Sequence, residues 1–271
     1  MSNSKNDFAL VCESIGMQFG GLAAVSNFNL QVHQGALYGL IGPNGAGKTT
    51  VFNIVSGVLC PTAGSVRLFG VDTTGLSPDE IARRGIARTF QNIRLFRNLT
   101  VLENVLVGHH LRRKATLGEA LLSLPRYRKE ESDMMCNATG LLQDVGLDHV
   151  ANYRASALPY GQQRRLEIAR ALATKPKVLL LDEPAAGMNP AETERLMQLI
   201  LDVRDRFNLT IFLIEHEMKV VMNICERMTV LDHGQIIAEG TPSEIQSNEK
   251  VIKAYLGGGA IARHSGYSRP L

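Results

Sequence analysis

A glycine-rich segment that ends in Lys and Thr could hold a phosphate group. Residues 42–49 read Gly-Pro-Asn-Gly-Ala-Gly-Lys-Thr and fit the pattern G-x-x-x-x-G-K-[ST]. In such a segment the glycines let successive backbone N–H groups turn towards an anion, Lys48 reaches the β and γ oxygens, and Thr49 offers a hydroxyl to Mg²⁺. Strand-like residues 37–41 precede it and helical residues 50–56 follow, which is the context that a phosphate-binding loop (P-loop) requires.

Two adjacent acids follow another apolar run. Residues 178–181 read Val-Leu-Leu-Leu and lead directly into Asp182 and Glu183. Ligands of α/β proteins bind at the carboxyl ends of the strands, so Asp182 is placed to hold Mg²⁺ through its water shell, and Glu183 to polarise a water that attacks the γ-phosphate. Alone, this pattern more often marks a strand that meets a polar turn. Beside a P-loop, it indicates nucleotide hydrolysis.

The elements that must position these residues follow from hydrophobic periodicity. Strand-like runs at 37–41, 178–181, 211–214 and 228–231 alternate with amphipathic segments, which predicts an α/β fold with a parallel sheet covered by helices. Apolar residues recur at helical spacing after Pro190, so a surface helix is predicted there.

Three further segments differ in their residue pattern from the alternating strands and helices. Residues 96–160 carry Leu-rich helical stretches and no continuous apolar strand, so we expect a helical subdomain. The turn Asp232-His233-Gly234 lies between the runs 228–231 and 235–238 and predicts a hairpin. Residues 257–271 begin with three glycines and are expected to form a flexible tail.

Composition limits the possible functions. The chain has 271 residues, a formal net charge of +3 and 45% hydrophobic residues, as expected of a water-soluble globular protein. The longest apolar runs are too short to cross a bilayer. The four cysteines are widely spaced, with no His at zinc-ligand spacing, so neither a disulfide scaffold nor a metal site of that kind is indicated. The polar N-terminus lacks the pattern of a secretory signal, and we expect a cytosolic chain.

The order of the motifs is typical of one family. The P-loop, Gln91, residues 158–165, Asp182-Glu183-Pro184 and His216 follow one another as in the nucleotide-binding subunit of an ATP-binding cassette (ABC) transporter, which the chain resembles over about residues 8–256. The resemblance implies a P-loop NTPase (RecA-like) α/β core with an antiparallel β-subdomain and a helical signature subdomain. The expected division is 1–95 and 161–256 for the core with the β-subdomain, 96–160 for the helical subdomain, and 257–271 for the tail.

The resemblance also implies roles for individual residues. Phe19 would stack on adenine, Gln91 would link Mg²⁺ to the permease, Glu183 would be the catalytic base, and His216 would contact the γ-phosphate. Taken singly, Phe19 reads better as a core aromatic, Gln91 as a loop amide and His216 as a strand-end histidine. The metal ligands expected for Mg²⁺ are Thr49, Gln91 and Asp182. The residues expected to contact ATP in the P-loop are Gly42, Pro43, Asn44, Gly45, Ala46, Gly47, Lys48, Thr49 and Thr50.

The family signature L-S-G-G-Q is altered here. It reads Leu158-Pro159-Tyr160-Gly161-Gln162, so Pro159 replaces the serine that bonds the γ-phosphate of ATP in relatives. Proline offers neither a hydroxyl nor an N–H. Backbone N–H groups of Tyr160 and Gly161 could still bind the anion, and with Gln162 these residues are expected to contact the ATP of a partner subunit. Residues 187–189 also depart from the family's Leu-Asp pair.

These departures themselves resemble one branch of the family. Residues 160–170 and 182–190 are similar to the branched-chain amino acid uptake systems, and the long segment 108–137 is similar to the larger of their two ATPase subunits. The implied function is ATP hydrolysis that energises amino acid uptake. The implied partners are a second cassette (a sister subunit or another copy, head to tail), two transmembrane permease subunits and, indirectly, a periplasmic binding protein. The implied location is peripheral, at the cytoplasmic face of the inner membrane.

Other functions remain open at this point. A paralogous cassette for urea or amide uptake, or for lipopolysaccharide export, would share the same motifs. The basic residues around 112–114 and 126–129 could bind nucleic acid, but acids lie among them and a solvated helical face is favoured, so no nucleic acid is expected as a partner. A GTPase is disfavoured because the lone D-x-x-G match at 72–75 is not followed by an N-K-x-D guanine motif.

Overall fold

The computed structural model describes residues 7–112 and 125–257 and divides the chain into two units. The P-loop unit consists of Met1–Leu76 and Phe212–Leu271, and the helical unit is Ser77–Ile211. In chain order the strands are β1 (Phe8–Phe19), β2 (Leu22–His33), β3 (Leu37–Ile41), β4 (Ala63–Leu68), β5 (Val71–Asp72), β6 (Ile86–Arg88), β7 (Val178–Asp182), β8 (Thr210–Ile214), β9 (Arg227–Asp232) and β10 (Gln235–Gly240). The α-helices are α1 (Lys48–Val55), α2 (Pro78–Arg84), α3 (Val101–His109), α4 (Pro125–Asp144), α5 (Tyr160–Ala173), α6 (Pro190–Phe207), α7 (Met218–Ile224), α8 (Pro242–Gln246) and α9 (Glu249–Gly257).

Strands of the P-loop unit form an antiparallel sheet and a mixed sheet. The antiparallel sheet has the order β2-β1-β4-β5, and Val11 of β1 lies opposite Gln31 on one side and Arg67 on the other. The mixed sheet contains the order β10-β9-β3-β8, in which β3 runs parallel to β9 and Leu40 pairs with Thr229. All five residues of β3 are buried, so the strand that leads into the P-loop belongs to the core.

The predicted hairpin between β9 and β10 is confirmed. Gln235 pairs with Asp232 across the turn, and the two residues between them, His233 and Gly234, have φ values of 45° and 75°. Two successive positive φ values define the turn that matches the twist of an antiparallel pair. The sequence His-Gly supplies a glycine at the second of these positions.

The helical unit combines a parallel strand pair with helices. In the pair of β6 and β7, Ala87 lies opposite Leu179, and every residue of β7 is buried. The surface helix predicted after Pro190 is α6, and a reciprocal capping box begins it: the Asn189 side chain accepts from the Glu192 N–H at 3.0 Å, and the Glu192 carboxylate accepts from the Asn189 N–H at 3.1 Å. Asn208, at φ 49°, ends it in the left-handed conformation.

Most element boundaries agree with the predictions within one or two residues. The predicted strands 37–41, 178–181, 211–214 and 228–231 correspond to β3, β7, β8 and β9. Helix α5 begins at Tyr160, because the Gln163 N–H donates to the Pro159 carbonyl and closes the first helical turn at the signature residues. The subdomain boundaries remain a prediction, and the predicted tail, apart from Gly257, lies outside the described residues.

The α/β fold class is confirmed by the strands and helices of both units. Residues 96–160 contain α3, α4 and short 3₁₀ segments at His110–Arg112, Asp148–Val150 and Ala155–Ala157, as far as the structure describes them. Among the described residues, no helix combines the length and the apolar character that a membrane span needs.

Candidate nucleotide site

The backbone of the P-loop requires glycine at two positions. Gly42 follows β3 at φ 151°, and a Cβ placed there would lie 2.0 Å from the Leu231 carbonyl oxygen. Gly47 has φ 104°, and its Cβ would lie 2.7 Å from the Ala24 carbonyl oxygen. Side chains at these positions would displace the backbone of β9 or β2. The loop therefore has the tight curvature of a phosphate-binding loop. Its glycines are required by close packing as well as by their positive φ values.

Lys48 places its charge inside this curve. Its side chain is buried, and Nζ donates to the carbonyl oxygens of Gly42 at 2.7 Å and Pro43 at 2.9 Å. The Ala46 carbonyl accepts from the Gly234 N–H at 2.9 Å, which ties the loop to the β9–β10 hairpin. Helix α1 begins at Lys48, so the positive end of the helix dipole and an ammonium share one end of the helix. This arrangement favours an anion.

Three further residues of the P-loop unit that are predicted to contact ATP or its metal lie at exposed positions. Thr49 is exposed in the first turn of α1, where its hydroxyl can reach a ligand. Phe19 ends β1 with 47% of its surface exposed, so its ring is available for stacking and does not belong to the core. His216 is exposed between β8 and α7. The core-aromatic interpretation of Phe19 is therefore wrong.

In the helical unit, Asp182 is paired with a residue that sequence reasoning missed. Asp182 ends β7, and its Oδ2 accepts from Arg88 Nη2 at 2.8 Å at the end of β6. Both side chains are buried, so the guanidinium compensates the charge of a carboxylate that has little contact with water. Arg88 also lies over the Phe90 ring, with 5.1 Å between Cζ and the ring centroid.

Glu183 has a strained backbone and a defined side-chain partner. Its φ is 44°, in the left-handed region that residues other than glycine rarely occupy. Gln91 Nε2 donates to Glu183 Oε2 at 2.7 Å. Strain of this kind persists only where the surrounding structure enforces it, and such positions cluster at functional sites. The structure therefore brings together Gln91 and Glu183, two of the residues predicted to act in hydrolysis.

The oxygen donors predicted for Mg²⁺ have suitable chemistry. A threonine hydroxyl, a glutamine amide and an aspartate carboxylate are hard oxygen ligands of the type that Mg²⁺ prefers. Asp182 ends β7 and Gln91 follows β6, with which β7 pairs. Among the described residues, His, Cys, Asp and Glu side chains form no cluster of three that could hold a metal by themselves. Asp182 would therefore need oxygen ligands of other kinds to hold Mg²⁺.

The altered signature forms the first turn of α5. Pro159 is the N-cap residue, where its missing N–H is no loss. Tyr160 is exposed, and its hydroxyl donates to the Ala186 carbonyl at 3.0 Å, in the loop that follows Glu183. Gly161 and Gln162 continue the turn and are partly exposed. The helix presents backbone N–H groups at this end without a side-chain cap, as an anion site would need.

A buried ion pair of α5 holds the backbone around Gln91. Arg164, with no exposed surface, donates from Nη1 to the Phe90 carbonyl at 2.6 Å and from Nη2 to the Gln91 carbonyl at 2.8 Å. Arg164 Nη1 also donates to Glu167 Oε2 at 2.8 Å, and Glu167 Oε1 accepts from the Phe90 and Arg94 N–H groups at 3.4 and 3.3 Å. The signature helix thereby fixes the loop that carries Gln91.

Sequence reasoning assigned no role to Arg164 or Glu167. A signal was present: Arg164, Glu167, Ile168 and Ala171 lie at the 0, 3, 4, 7 spacing of a buried helix face, so the charged pair shares that face. A charged pair at core positions points to buried partners. For Arg88 no comparable signal exists, because its partner is distant in the sequence.

Comparisons with known proteins agree with these observations. The profile of the ABC transporter family matches residues 25–186, and that of the branched-chain amino acid ATP-binding cassette transporter matches residues 235–261. The high-affinity branched-chain amino acid transport ATP-binding protein LivG of Salmonella typhimurium is 49% identical over 92% of this chain and 97% of its own length. BraF of Pseudomonas aeruginosa, which has the same description, is 48% identical over the same shares. LptB of Haemophilus influenzae, a lipopolysaccharide export ATP-binding protein, is 35% identical over the same shares.

Two solved structures show the same architecture. The ADP conformation of an ATP-binding cassette of an ABC transporter has a TM-score of 0.81 and 33% identity, over 92% of this chain and 99% of the other. A dimeric cassette in a post-hydrolysis state with ADP and phosphate has a TM-score of 0.72 and 28% identity, over 86% of this chain and 98% of the other. This chain therefore belongs to the ABC transporter family, as an ATP-hydrolysing, ATP-binding subunit of the branch that contains LivG and BraF.

Proposed function

We propose that this chain hydrolyses ATP to energise the uptake of branched-chain amino acids through a separate membrane permease. The observation that carries the proposal is the 49% identity to LivG over nearly the whole length of both chains, against 35% to the lipopolysaccharide export protein. The family profile at residues 235–261 supports the same branch. Urea, amide and lipopolysaccharide systems are not favoured.

ATP binding is assigned to the P-loop unit. Phe19 offers an exposed ring for adenine, and the loop N–H groups with Lys48 receive the phosphate oxygens. Lys48 is already fixed by two carbonyls, so it binds phosphate without first ordering its long side chain. His216 is assigned to the γ-phosphate. The close packing that excludes Cβ atoms at Gly42 and Gly47 would keep the backbone N–H groups of the P-loop within reach of the phosphate.

Hydrolysis is assigned to Glu183 as the general base. Its carboxylate would accept a proton from the water that attacks the γ-phosphate. Gln91 holds that carboxylate at 2.7 Å, and the clamp by Arg164 fixes the Gln91 backbone, so the loop positions the base. Thr49, Gln91 and Asp182 would hold Mg²⁺, which would neutralise charge on the β- and γ-phosphate oxygens. Arg88 is assigned as a positioning residue for Asp182.

The signature end of α5 is assigned to the ATP of a second cassette. Pro159 provides no hydroxyl or N–H, so the contact would come from the N–H groups of Tyr160 and Gly161, with Gln162 beside them. A dimeric relative supports the pairing of two cassettes. The proposed pair is head to tail, with a sister cassette or another copy as the partner. Two permease subunits and, indirectly, a periplasmic binding protein complete the proposed system. The chain would lie peripherally at the cytoplasmic face of the inner membrane.

The test compares the native chain with Glu183→Gln and with the matched control Glu194→Gln, which removes an exposed carboxylate of α6 in the same unit. ATP affinity, ATP-dependent pairing and phosphate release are measured for each, alone and with the co-purified permease and sister cassette. We expect Glu183→Gln to bind ATP, accumulate as a closed pair and lose hydrolysis. Equal hydrolysis by Glu183→Gln and the native chain would show that Glu183 is not the base.

The substrate is tested separately in proteoliposomes that hold the complete system. Uptake of labelled leucine is expected to require ATP and to stop with Glu183→Gln but not with Glu194→Gln. Labelled urea serves as the matched small solute that should not accumulate. ATP hydrolysis without leucine uptake would contradict the substrate assignment and leave the ATPase assignment intact.

A further inference from the structure

The side chain of Tyr160 connects the signature end of α5 to the loop that carries Glu183. Tyr160 is the first residue of α5, and its hydroxyl donates to the Ala186 carbonyl at 3.0 Å. The Ala186 N–H donates to the Glu183 carbonyl at 3.2 Å and closes a turn. One hydrogen bond and one turn therefore join the helix end assigned to the second cassette's ATP to the residue assigned as the general base.

The Tyr160 ring packs against the same loop. Gly187 has a φ of 79°, and a Cβ built there would lie 4.0 Å from Tyr160 Cε1, so the ring passes close to the loop backbone. At its far end the loop is fixed by the capping box of Asn189 and Glu192. The loop between β7 and α6 is therefore held at both ends by local contacts, and Tyr160 holds the part between them.

Arg164 orients the Tyr160 hydroxyl. Its Nη2 donates to Tyr160 Oη at 3.3 Å and to the Gln91 carbonyl at 2.8 Å. A phenol has one hydrogen to donate, so a donor that occupies its oxygen leaves that hydrogen for the Ala186 carbonyl. Gln91 Nε2 donates in turn to the Glu183 carboxylate at 2.7 Å. These contacts close a ring in which Tyr160 is joined to Glu183 by two routes, through the loop and through the guanidinium.

The backbone of Glu183 needs this support. Its φ of 44° is a strained conformation, which persists only where surrounding contacts enforce it. A single hydrogen bond such as that of the Tyr160 hydroxyl changes the balance between two loop conformations by about threefold to tenfold. Loss of the bond would therefore leave a smaller fraction of molecules with Glu183 in its observed orientation.

We propose that Tyr160 is a positioning residue whose hydroxyl couples ATP binding at the signature end to the orientation of Glu183 in the same chain. The proposal rests on the roles assigned above to Glu183 and to the signature. The backbone N–H of Tyr160 receives the phosphate of the second cassette's ATP, and the side chain of the same residue fixes the loop of the base. Pairing of the cassettes would thereby orient the base, so that hydrolysis is favoured in the paired state.

The test uses Tyr160→Phe, which removes the hydroxyl and keeps the ring and the backbone N–H. The complex with the permease is prepared with the catalytic acid of the second cassette replaced by Gln, so that Glu183 of this chain carries out all hydrolysis. We expect Tyr160→Phe to lower kcat about threefold to tenfold, with a much smaller change in the ATP concentration at half-maximal rate. The matched control Tyr153→Phe changes an exposed tyrosine of the same unit and should keep the native kcat.

Two further measurements separate positioning from a general defect. Replacement of Tyr160 by 4-aminophenylalanine returns a hydrogen-bond donor to the same place and should restore most of the lost kcat. In the reciprocal complex, this chain carries Glu183→Gln and the second cassette keeps its own catalytic acid. Addition of Tyr160→Phe there should lower kcat by a smaller factor than in the first complex, because the backbone N–H that meets the second cassette's ATP is unchanged.

Three results would overturn the proposal. The first is a native kcat for Tyr160→Phe in the first complex. The second is an equal or larger loss in the reciprocal complex, which would place the action of the hydroxyl at the second cassette's ATP. The third is a loss that 4-aminophenylalanine does not restore, which would show that altered packing is responsible. Failure of the proposed function is distinguishable, because the native complex would then lack hydrolysis or Glu183→Gln would retain it.

Discussion

Replacing Arg164 by Met tests whether the buried ion pair of α5 stabilises the Gln91 loop. Met keeps a long apolar stem but removes the donors to Phe90, Gln91 and Glu167. The Glu167 carboxylate, 1% exposed, would then be buried without its cation. Removing one partner of a buried pair costs about 3–5 kcal/mol, and two carbonyls also lose their donors, so we expect the upper part of that range.

Urea unfolding followed by far-UV circular dichroism measures this cost as a lower midpoint at an unchanged slope. Arg195→Met, on the exposed side of α6, is the matched control and should change stability by about 0.5 kcal/mol or less. The double variant Arg164→Met/Glu167→Gln removes the uncompensated charge and should recover about 2 kcal/mol of the loss. ATPase activity should fall in the single variant, because Gln91 is no longer held.

The refuting results are specific. A cost below about 1 kcal/mol for Arg164→Met would show that water or other groups compensate Glu167, against the burial on which the estimate depends. The double variant could instead be less stable than the single variant. This result would show that the hydrogen bonds from the Phe90 and Arg94 N–H groups to Glu167 stabilise the fold by more than the buried charge of Glu167 destabilises it.

Three further predictions concern separate parts of the chain. Gly42→Ala should abolish ATP binding in a nucleotide-binding assay, because its Cβ would lie 2.0 Å from the Leu231 carbonyl oxygen; near-native affinity would contradict this packing. Asn189→Ala removes the side-chain half of the cap with Glu192 and should lower the unfolding free energy by about 1 kcal/mol, whereas Asn189→Asp should retain most of it. Burial raises the pKa of Cys12 to about 12 and also raises the pKa of Cys225. In a thiol titration of the native chain at pH 8, two of the four thiols should therefore be unreactive, and rapid reaction of all four would contradict this. The reactive thiols should be Cys60 and Cys136.

Local chemistry made part of the fold predictable. The glycines of residues 42–47, the Asn189 cap and the His233-Gly234 turn each depend on a few neighbouring residues, so their pattern is readable without tertiary structure. Buried apolar runs such as 37–41 and 178–181 are equally predictable, because apolar residues are removed from water whatever elements pack beside them. The start of α5 was less predictable, since Pro and Gly at 159 and 161 usually indicate a turn.

The sequence by itself determined the α/β class, the P-loop and the positions of the acids at the end of β7, because those features depend on residues near one another in the chain. Only the tertiary structure decided which partners these acids have. Arg88 and Asp182 are 94 residues apart, Gln91 and Glu183 are 92 apart, and their contacts arise because β6 and β7 lie side by side. The burial of Arg164 also depends on packing between helices, which no local pattern specifies.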